Sequence, residues 1–232
     1  MADRLLPHRN YLIALAVLAV LLPMAALAHD VGEGDKAFVS SISGPAIGPF
    51  LYLGAKHMVT GYDHIAFLIG VVFFLRRLKD VVLYVSLFTL GHSTTLLLGV
   101  LLGFGVNSYI IDAIIGLSVV YKGVENIGGW GKLGLGLDTR VMVLLFGLAH
   151  GLGLASKVLD LSMSRDGLLT NLIAFNVGVE IGQVLVLSLV VWLFSLWRDR
   201  PSFSRYAMAA NVLLIAVGLW LTFIQIEGYV AA

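Results

Sequence analysis

Six long apolar segments, separated by short polar loops, follow one another from residue 49 towards the end of the chain. They cover about residues 49–75, 81–104, 108–127, 141–159, 168–197 and 206–229. Each is near or above the ~20 residues that a helix needs to cross the hydrocarbon core of a membrane. The pattern therefore predicts an all-α integral membrane protein built as a bundle of six transmembrane helices.

The start of the chain has a different pattern, which is typical of a secretory signal peptide. Arg4 and Arg9 give it a basic beginning, residues 11–22 are apolar, and Ala26-Leu27-Ala28 has the small residues of a cleavage site. An uncleaved signal anchor is the alternative, and the shortness of the apolar run argues against it. The predicted organisation is a signal peptide at 1–28, a short polar extracytoplasmic segment at 29–48 and the six-helix transmembrane domain at 49–232.

Cleavage after Ala28 would make His29 the first residue of the mature protein. A terminal amine and its own imidazole can chelate a divalent ion together, so His29 is a weaker candidate metal ligand. The commoner role of a residue in this place is only to flank the cleavage site, since the peptidase reads such positions.

Lysines and arginines in the loops predict the orientation of the bundle. The loops after the first, third and fifth spans carry Arg76, Arg77, Lys79, Lys132, Arg140, Arg198, Arg200 and Arg205. The opposite loops offer little beyond Lys36 and Arg165. Because cytoplasmic loops carry the excess of positive charge, the first group is expected in the cytoplasm, with both mature termini outside. This orientation agrees with a cleaved signal peptide.

Composition narrows the chemistry that the chain can carry. Hydrophobic residues make up 59% of the chain and charged residues 12%, about half the charge of a typical soluble domain. The net charge of +1 and the lack of a long basic run give no indication of nucleic acid. The chain has no cysteine, which excludes disulfides, thiolate ligands and iron–sulfur clusters. Any metal ion must therefore be held by nitrogen and oxygen.

Ionisable residues lie inside several of the apolar segments. They are His57, Asp63, His64, His92, His150 and Glu180. Such groups are costly in hydrocarbon, so they are expected to face the interior of the bundle or a watery cavity. Imidazoles and carboxylates on separate helices are typical ligands of divalent transition-metal ions. The sequence therefore predicts a metal site within the membrane.

The first apolar segment holds three of these residues within eight positions. His57 and His64 are seven residues apart, which puts them on one helix face but about 10 Å apart along its axis. In an unbroken helix they would serve successive sites, whereas a break at Gly61 would bring them nearer to each other. Asp63 can bind a metal ion itself or orient an imidazole that does.

His64, His92 and His150 each lie near the middle of their predicted spans, and Glu180 lies at a similar depth. We therefore expect these four side chains to converge, with Asp63 beside them. Asn176 and Gln183 are four residues before and three after Glu180, so they share its helix stripe and are weaker candidates. Hydrogen bonding between helices is the alternative role for the two amides.

The third apolar segment contributes two further weak candidates. Asp112 lies towards its outer end, where an ion would arrive, and Glu125 lies towards the cytoplasmic end, where it would leave. Lys122 precedes Glu125 by three positions and can pair with it near the membrane interface.

Four segments in this order resemble the HupE/UreJ family of hydrogenase- and urease-accessory membrane proteins. They are the H-x5-D-H run at 57–64, FTLGHS at 88–93, FGLAHGLGLA at 146–155 and FNVGVEIGQ at 175–183. The resemblance runs from about residue 54 to residue 183. It implies uptake of nickel or cobalt across the bacterial inner membrane, with the metal handled by His57, Asp63 and His64.

The chain departs from the family pattern in the fourth span. The family's F-H-G-x-A-H-G-x-E motif is matched here by residues 145–153, where Phe146 replaces a histidine and Gly153 replaces a glutamate. Only His150 carries over from the charged positions of that motif. Glu180 is our candidate for supplying the missing carboxylate.

The leading functional hypothesis is a permease for a divalent transition-metal ion, first nickel or cobalt, with zinc or iron as further candidates. An intramembrane zinc hydrolase is a second hypothesis, with zinc on His64, His92 and His150 and with Asp63 or Glu180 as the base. A membrane haem protein with His92 and His150 as axial ligands is a third. The chain lacks an H-E-x-x-H signature, which favours a transporter over an enzyme. Its expected partners are membrane lipid, the transported ion and, in a homo-oligomer, further copies of the chain.

Overall fold

The computed structural model describes residues 38–160 and 164–232, and within these residues all regular structure is helical. A helical turn at residues 38–41 precedes the main helices. These are α1 (Ile47–Thr60), α2 (Tyr62–Val72), α3 (Leu78–Leu102), α4 (Ser108–Asn126), α5 (Gly129–Lys132), α6 (Thr139–Leu159), α7 (Leu168–Arg198) and α8 (Pro201–Ala231). The signal peptide and His29 fall outside the described residues, so both stay predictions.

Four of these helices, α3, α6, α7 and α8, are long and apolar enough to cross a membrane. The all-helical membrane class is therefore confirmed, while the count of six spans is not. The first apolar segment is divided into α1 with 14 residues and α2 with 11 residues. Helix α4 has 19 residues, but Asp112, Lys122 and Glu125 make it less apolar than the four.

Local sequence signals set several helix boundaries. The Asn107 side chain accepts a hydrogen bond from the Tyr109 amide and caps the start of α4. Asp138 does the same for α6 through the Arg140 amide. Gly103 ends α3 with a φ of 67°, in the left-handed region that favours glycine. These signals fix where the polar loops begin, and hence the depth of the residues between them.

The bundle is built from three extensive helix pairs: α1 with α7, α3 with α6, and α4 with α8. Each pair has glycines on both helices at the contact, namely Gly54 and Gly178, Gly91 and Gly147, and Gly116 and Gly218. A Cβ atom at any of these positions would press against the facing helix, in each case against its backbone. Small residues allow this close approach, as expected for helices in lipid.

The basic loops gather at one end of the bundle, which we call the basic end. Arg198, near the end of α7, bonds to Phe73 just after α2, and the Phe73 ring stacks on Phe203 near the start of α8. Thr139, at the start of α6, donates to Glu125 at the end of α4. The predicted grouping of loop charges therefore agrees with the fold.

Arg198 has a structural role that a count of loop charges does not reveal. Its buried guanidinium donates through Nη2 to the carbonyl of Val72 at 2.5 Å and to that of Phe73 at 3.0 Å, and through Nε to Phe73 at 3.2 Å. The last carbonyls of a helix lack partners within it, and they attract positive charge. Arg198 thus caps the C-terminal end of α2 from a different helix.

Replacing this cap is expected to destabilise the bundle. Arg198→Met keeps the apolar stem but removes the three charged hydrogen bonds, so we expect the free energy of unfolding to fall by about 2–3 kcal/mol. Thermal unfolding in detergent measures the change. Arg205→Met removes an exposed arginine at the same end and should change stability by less than ~0.5 kcal/mol. Equal effects of the two variants would contradict the capping role.

Candidate metal centre

The first apolar segment is interrupted at Gly61, between α1 and α2. Gly61 has a ψ of 87°, far from the about −42° of an α-helix, and its amide donates to the His57 carbonyl at 2.7 Å. A Cβ atom on Gly61 would lie 2.9 Å from that carbonyl oxygen and 3.1 Å from Nδ1 of His64. The break brings the rings of His57 and His64 to 5.1 Å between centroids. Of the two alternatives left by the sequence, the broken helix is the one observed.

Four imidazoles from four helices converge, and the ring of His64 lies at their centre. The His64 ring centroid lies 4.5 Å from that of His150, 5.1 Å from His57 and 5.7 Å from His92. One ring nitrogen from each of His57, His64 and His92 lies within 4.8 Å of the others. Tetrahedral coordination with bonds of about 2 Å needs nitrogens about 3.3 Å apart, so modest side-chain shifts would place the three on one ion.

Five ring nitrogens of this histidine cluster are buried and lack hydrogen-bond partners. His64, His92 and His150 are 4%, 1% and 0% exposed. Partners are lacking for Nε2 of His57, His64 and His150 and for both ring nitrogens of His92. Buried polar atoms nearly always have a partner, so a group of exceptions needs an explanation. A cation bound between the rings would satisfy these atoms.

Two of the rings are oriented by hydrogen bonds on their far side. Nδ1 of His64 lies 2.9 Å from Oδ1 of Asp63, and Nδ1 of His150 lies 2.7 Å from the carbonyl oxygen of Phe146. A carbonyl oxygen can only accept, so Nδ1 of His150 carries the proton and the Nε2 lone pair is available to a metal ion. The Asp63 carboxylate favours the same tautomer in His64.

Glu180 does not join the cluster, contrary to the prediction made from its depth. Its side chain is exposed on the outside of α7. Gly178 and Gly182 turn one face of α7 towards α1, where a Cβ atom on either would meet the α1 backbone. At about 100° per residue, position 180 lies nearly opposite that face. The prediction considered the position of Glu180 along α7 but was wrong about the side of the helix on which it lies.

Asn176 and Gln183 do face the inside of the bundle, although they lie outside the group of imidazoles. Gln183 accepts a hydrogen bond from Thr89 at 3.1 Å, and Asn176 donates to the Leu172 carbonyl at 2.9 Å. Each also keeps one buried atom without a partner, Nε2 in Gln183 and Oδ1 in Asn176. The interhelical hydrogen bond expected as the alternative is therefore observed for Gln183, whose partner Thr89 lies on α3, whereas Asn176 bonds within α7 itself.

The two acidic residues of α4 are held in ion pairs. Asp112 is 6% exposed on its side chain and lies 2.8 Å from Nζ of Lys157. Glu125 lies 2.6 Å from Nζ of Lys122 and also accepts a hydrogen bond from Thr139. The pairing of Glu125 with Lys122 is as expected from their spacing. Neither carboxylate belongs to the histidine cluster.

Three phenylalanines close the cluster on the side of the basic end, and the sequence-based prediction missed them. This phenylalanine layer consists of Phe67, Phe88 and Phe146. The ring of Phe67 lies 5.6 Å from each of the other two rings. The Phe88 ring is 5.0 Å from that of His150. The signal that would have found them is their spacing, since each lies three or four positions from a cluster histidine.

A family model described as HupE / UreJ protein matches residues 33–232. Comparison with curated proteins and with solved structures gives no match. The matched region contains all the helices described above, the interrupted α1–α2 segment and the four histidines of the cluster. On this match, which extends over well more than half of its residues, the chain belongs to the HupE/UreJ family.

Proposed function

We propose that this protein is a permease that carries a divalent transition-metal ion, first nickel or cobalt, inward across the bacterial inner membrane. The observation that carries the proposal is the convergence of four imidazoles with five buried, unpartnered nitrogens inside a membrane bundle. The family supports it, because HupE/UreJ proteins are accessory membrane proteins connected with nickel and cobalt.

The order of the ligands suggests how an ion would move. His57 is the least buried of the four histidines and lies near the end of α1, a helix that begins at the end opposite the basic end. It would meet the ion first and pass it to His64, which contacts the other three rings. The negative charge of Asp63 behind His64 offsets part of the charge that the ion brings into the membrane. In this proposal the basic end faces the cytoplasm, as the loop charges predict.

Neutral imidazoles suit transport because an ion must leave as readily as it arrives. A closed cage of charged ligands would trap it, whereas several weak positions in sequence would not. Inward movement of two charges gains about 4.6 kcal/mol per 100 mV of inside-negative potential. Such a potential would be enough to drive accumulation without nucleotide hydrolysis.

The geometry gives less support to the hydrolase and haem hypotheses. A zinc hydrolase needs a base beside the metal-bound water, but Asp63 is already bonded to His64 and Glu180 lies on the outer face. A haem between His92 and His150 would need space for its macrocycle. The His64 ring, 5.7 and 4.5 Å from those two rings, occupies that region.

The test is uptake by liposomes that contain the purified protein. With an inside-negative potential we expect saturable accumulation of nickel or cobalt, driven by the potential and absent from protein-free liposomes. Calcium, which prefers oxygen ligands, serves as the control ion and should not accumulate. If nickel, cobalt, zinc, iron and manganese all fail to accumulate, the permease proposal is wrong.

A further inference from the structure

The phenylalanine layer lies directly between the histidine cluster and the basic end. Helix α2 runs towards the basic end, and Phe67 follows His64 by three residues. Helices α3 and α6 run the other way, and Phe88 and Phe146 precede His92 and His150 by four residues. All three rings are thus displaced from a cluster histidine by about 4.5–6 Å in the same direction.

The layer is continuous and apolar. Phe67 and Phe88 are both 0% exposed and Phe146 is half-buried, and the Phe67 ring contacts both of its partners in the layer. Buried Val119 and Val143 belong to the same apolar cluster as Phe67 and Phe88. An ion that leaves the imidazoles towards the basic end therefore meets packed hydrocarbon.

Passage through such a layer requires it to open. Moving a divalent ion into an apolar medium without ligands costs tens of kcal/mol, far more than the membrane potential supplies. Apolar constrictions are known to act as gates in channels, where they exclude water and ions until they widen. In this packing, the three rings close the ion path between the histidine cluster and the basic end.

The three rings are not held equally firmly. Phe88 and Phe146 lie on α3 and α6, which form one of the close glycine-packed pairs. Phe67 lies on the short helix α2, which makes much less extensive contacts with any one neighbour. The same helix carries Asp63 and His64, and it begins at the break at Gly61.

We infer that the phenylalanine layer is the inner gate of the transport path and that Phe67 is its movable member. This inference rests on the proposed permease function and assigns to that function three residues that bind no metal. Because His64 and Phe67 lie one turn apart on α2, a shift of α2 that adjusts His64 around an ion also displaces the Phe67 ring. The gate and the ligand are coupled through that one short helix.

The experiment compares passive nickel flux in liposomes at zero potential for the wild type, Phe67→Ala and Phe73→Ala. Phe73 is also buried, at 4% exposed, and it lies just after α2 but outside the layer, so its truncation matches the lost packing. We expect Phe67→Ala to raise the flux at least about tenfold, equivalent to ~1.4 kcal/mol off the barrier. Phe73→Ala should lower the thermal stability comparably without raising the flux.

Nickel binding to the purified variants is the second measurement. Phe67→Ala should keep wild-type affinity, because the cluster itself is intact. Unchanged flux in Phe67→Ala, or an equal rise in Phe73→Ala, would overturn the gate. If Phe67→Ala does not fold, Phe67→Leu replaces the ring by a smaller aliphatic side chain. This variant must then also raise the nickel flux. A wild-type protein that neither binds nor carries nickel, cobalt, zinc, iron or manganese would instead refute the permease proposal, which separates the two failures.

Discussion

His64→Ala is expected to abolish metal uptake while leaving the bundle folded. His64 is the central ring of the cluster, with its centroid 4.5–5.7 Å from those of the other three histidines. Partners that only orient a metal ligand already contribute 10–100-fold to metal affinity. Loss of the ligand itself should therefore weaken nickel or cobalt binding by more than about 100-fold, and the ion would face the centre of the membrane without its main contact.

Uptake into liposomes and equilibrium binding to the purified variant measure this effect. Ile65→Ala is a matched control, because it truncates a buried side chain on the next residue of α2 without removing a ligand. It should lower stability but retain most of the binding. Retention of wild-type uptake by His64→Ala would show that the cluster is not on the transport path.

Gly151→Ala is expected to damage both the fold and the site. A Cβ atom on Gly151 would overlap the carbonyl oxygen of His92 on the facing helix. At the same contact, Thr95 of α3 donates a hydrogen bond to the carbonyl of Leu148 on α6 at 2.7 Å. Helices α3 and α6 must then separate, which costs about 1–3 kcal/mol as overpacking and moves His92 away from His150.

Thermal unfolding and nickel binding together test this prediction. Gly48→Ala is the control, because Gly48 is also helical and has no atom within 4 Å of the position of its Cβ. There alanine should be neutral or slightly stabilising, since it favours helix more than glycine does. If both variants kept wild-type stability and affinity, the glycine contacts would not set the spacing of the cluster.

Much of the architecture could be predicted because it depends on one-dimensional patterns. Apolar length indicates α3, α6, α7 and α8 as membrane helices, and abundant glycine within the spans indicates close helix packing. The approach of His64, His92 and His150 followed from their matched depths and from the cost of exposing imidazoles to lipid. Each of these features depends only on the position of a residue along its helix.

Direction around a helix was harder to predict than depth along it. Glu180 was expected inside because its depth matches that of the histidines and because Asn176 and Gln183 share its helix stripe. Neither observation gives the width of the buried face of α7. Gly178 and Gly182 show which face of α7 meets its neighbour, and they place Glu180 on the opposite side. The glycine spacing was present in the sequence, and it was the better guide.

The break at Gly61 could be proposed from the sequence but not decided. A seven-residue spacing suits one helix face equally well with or without an interruption, and glycine is common in continuous membrane helices. The separate helix α2 is also held by a tertiary contact, because Arg198 from α7 caps its far end. A contact between residues 125 or more positions apart leaves no local signal in the chain.

The three glycine-packed pairs also determine when during synthesis the site can form. Every pair joins one of the earlier helices α1, α3 and α4 to a later helix, and the later partners α6, α7 and α8 follow in the order α6, α7, α8 along the chain. His57, His64 and His92 are therefore made before any helix that holds their own helices in place. In chain order, α6 supplies the partner of α3 together with His150, α7 supplies the partner of α1, and α8 supplies the partner of α4. A nascent chain that stops before residue 139 carries three of the four imidazoles but lacks α6, α7 and α8, the later partners of the three extensive pairs.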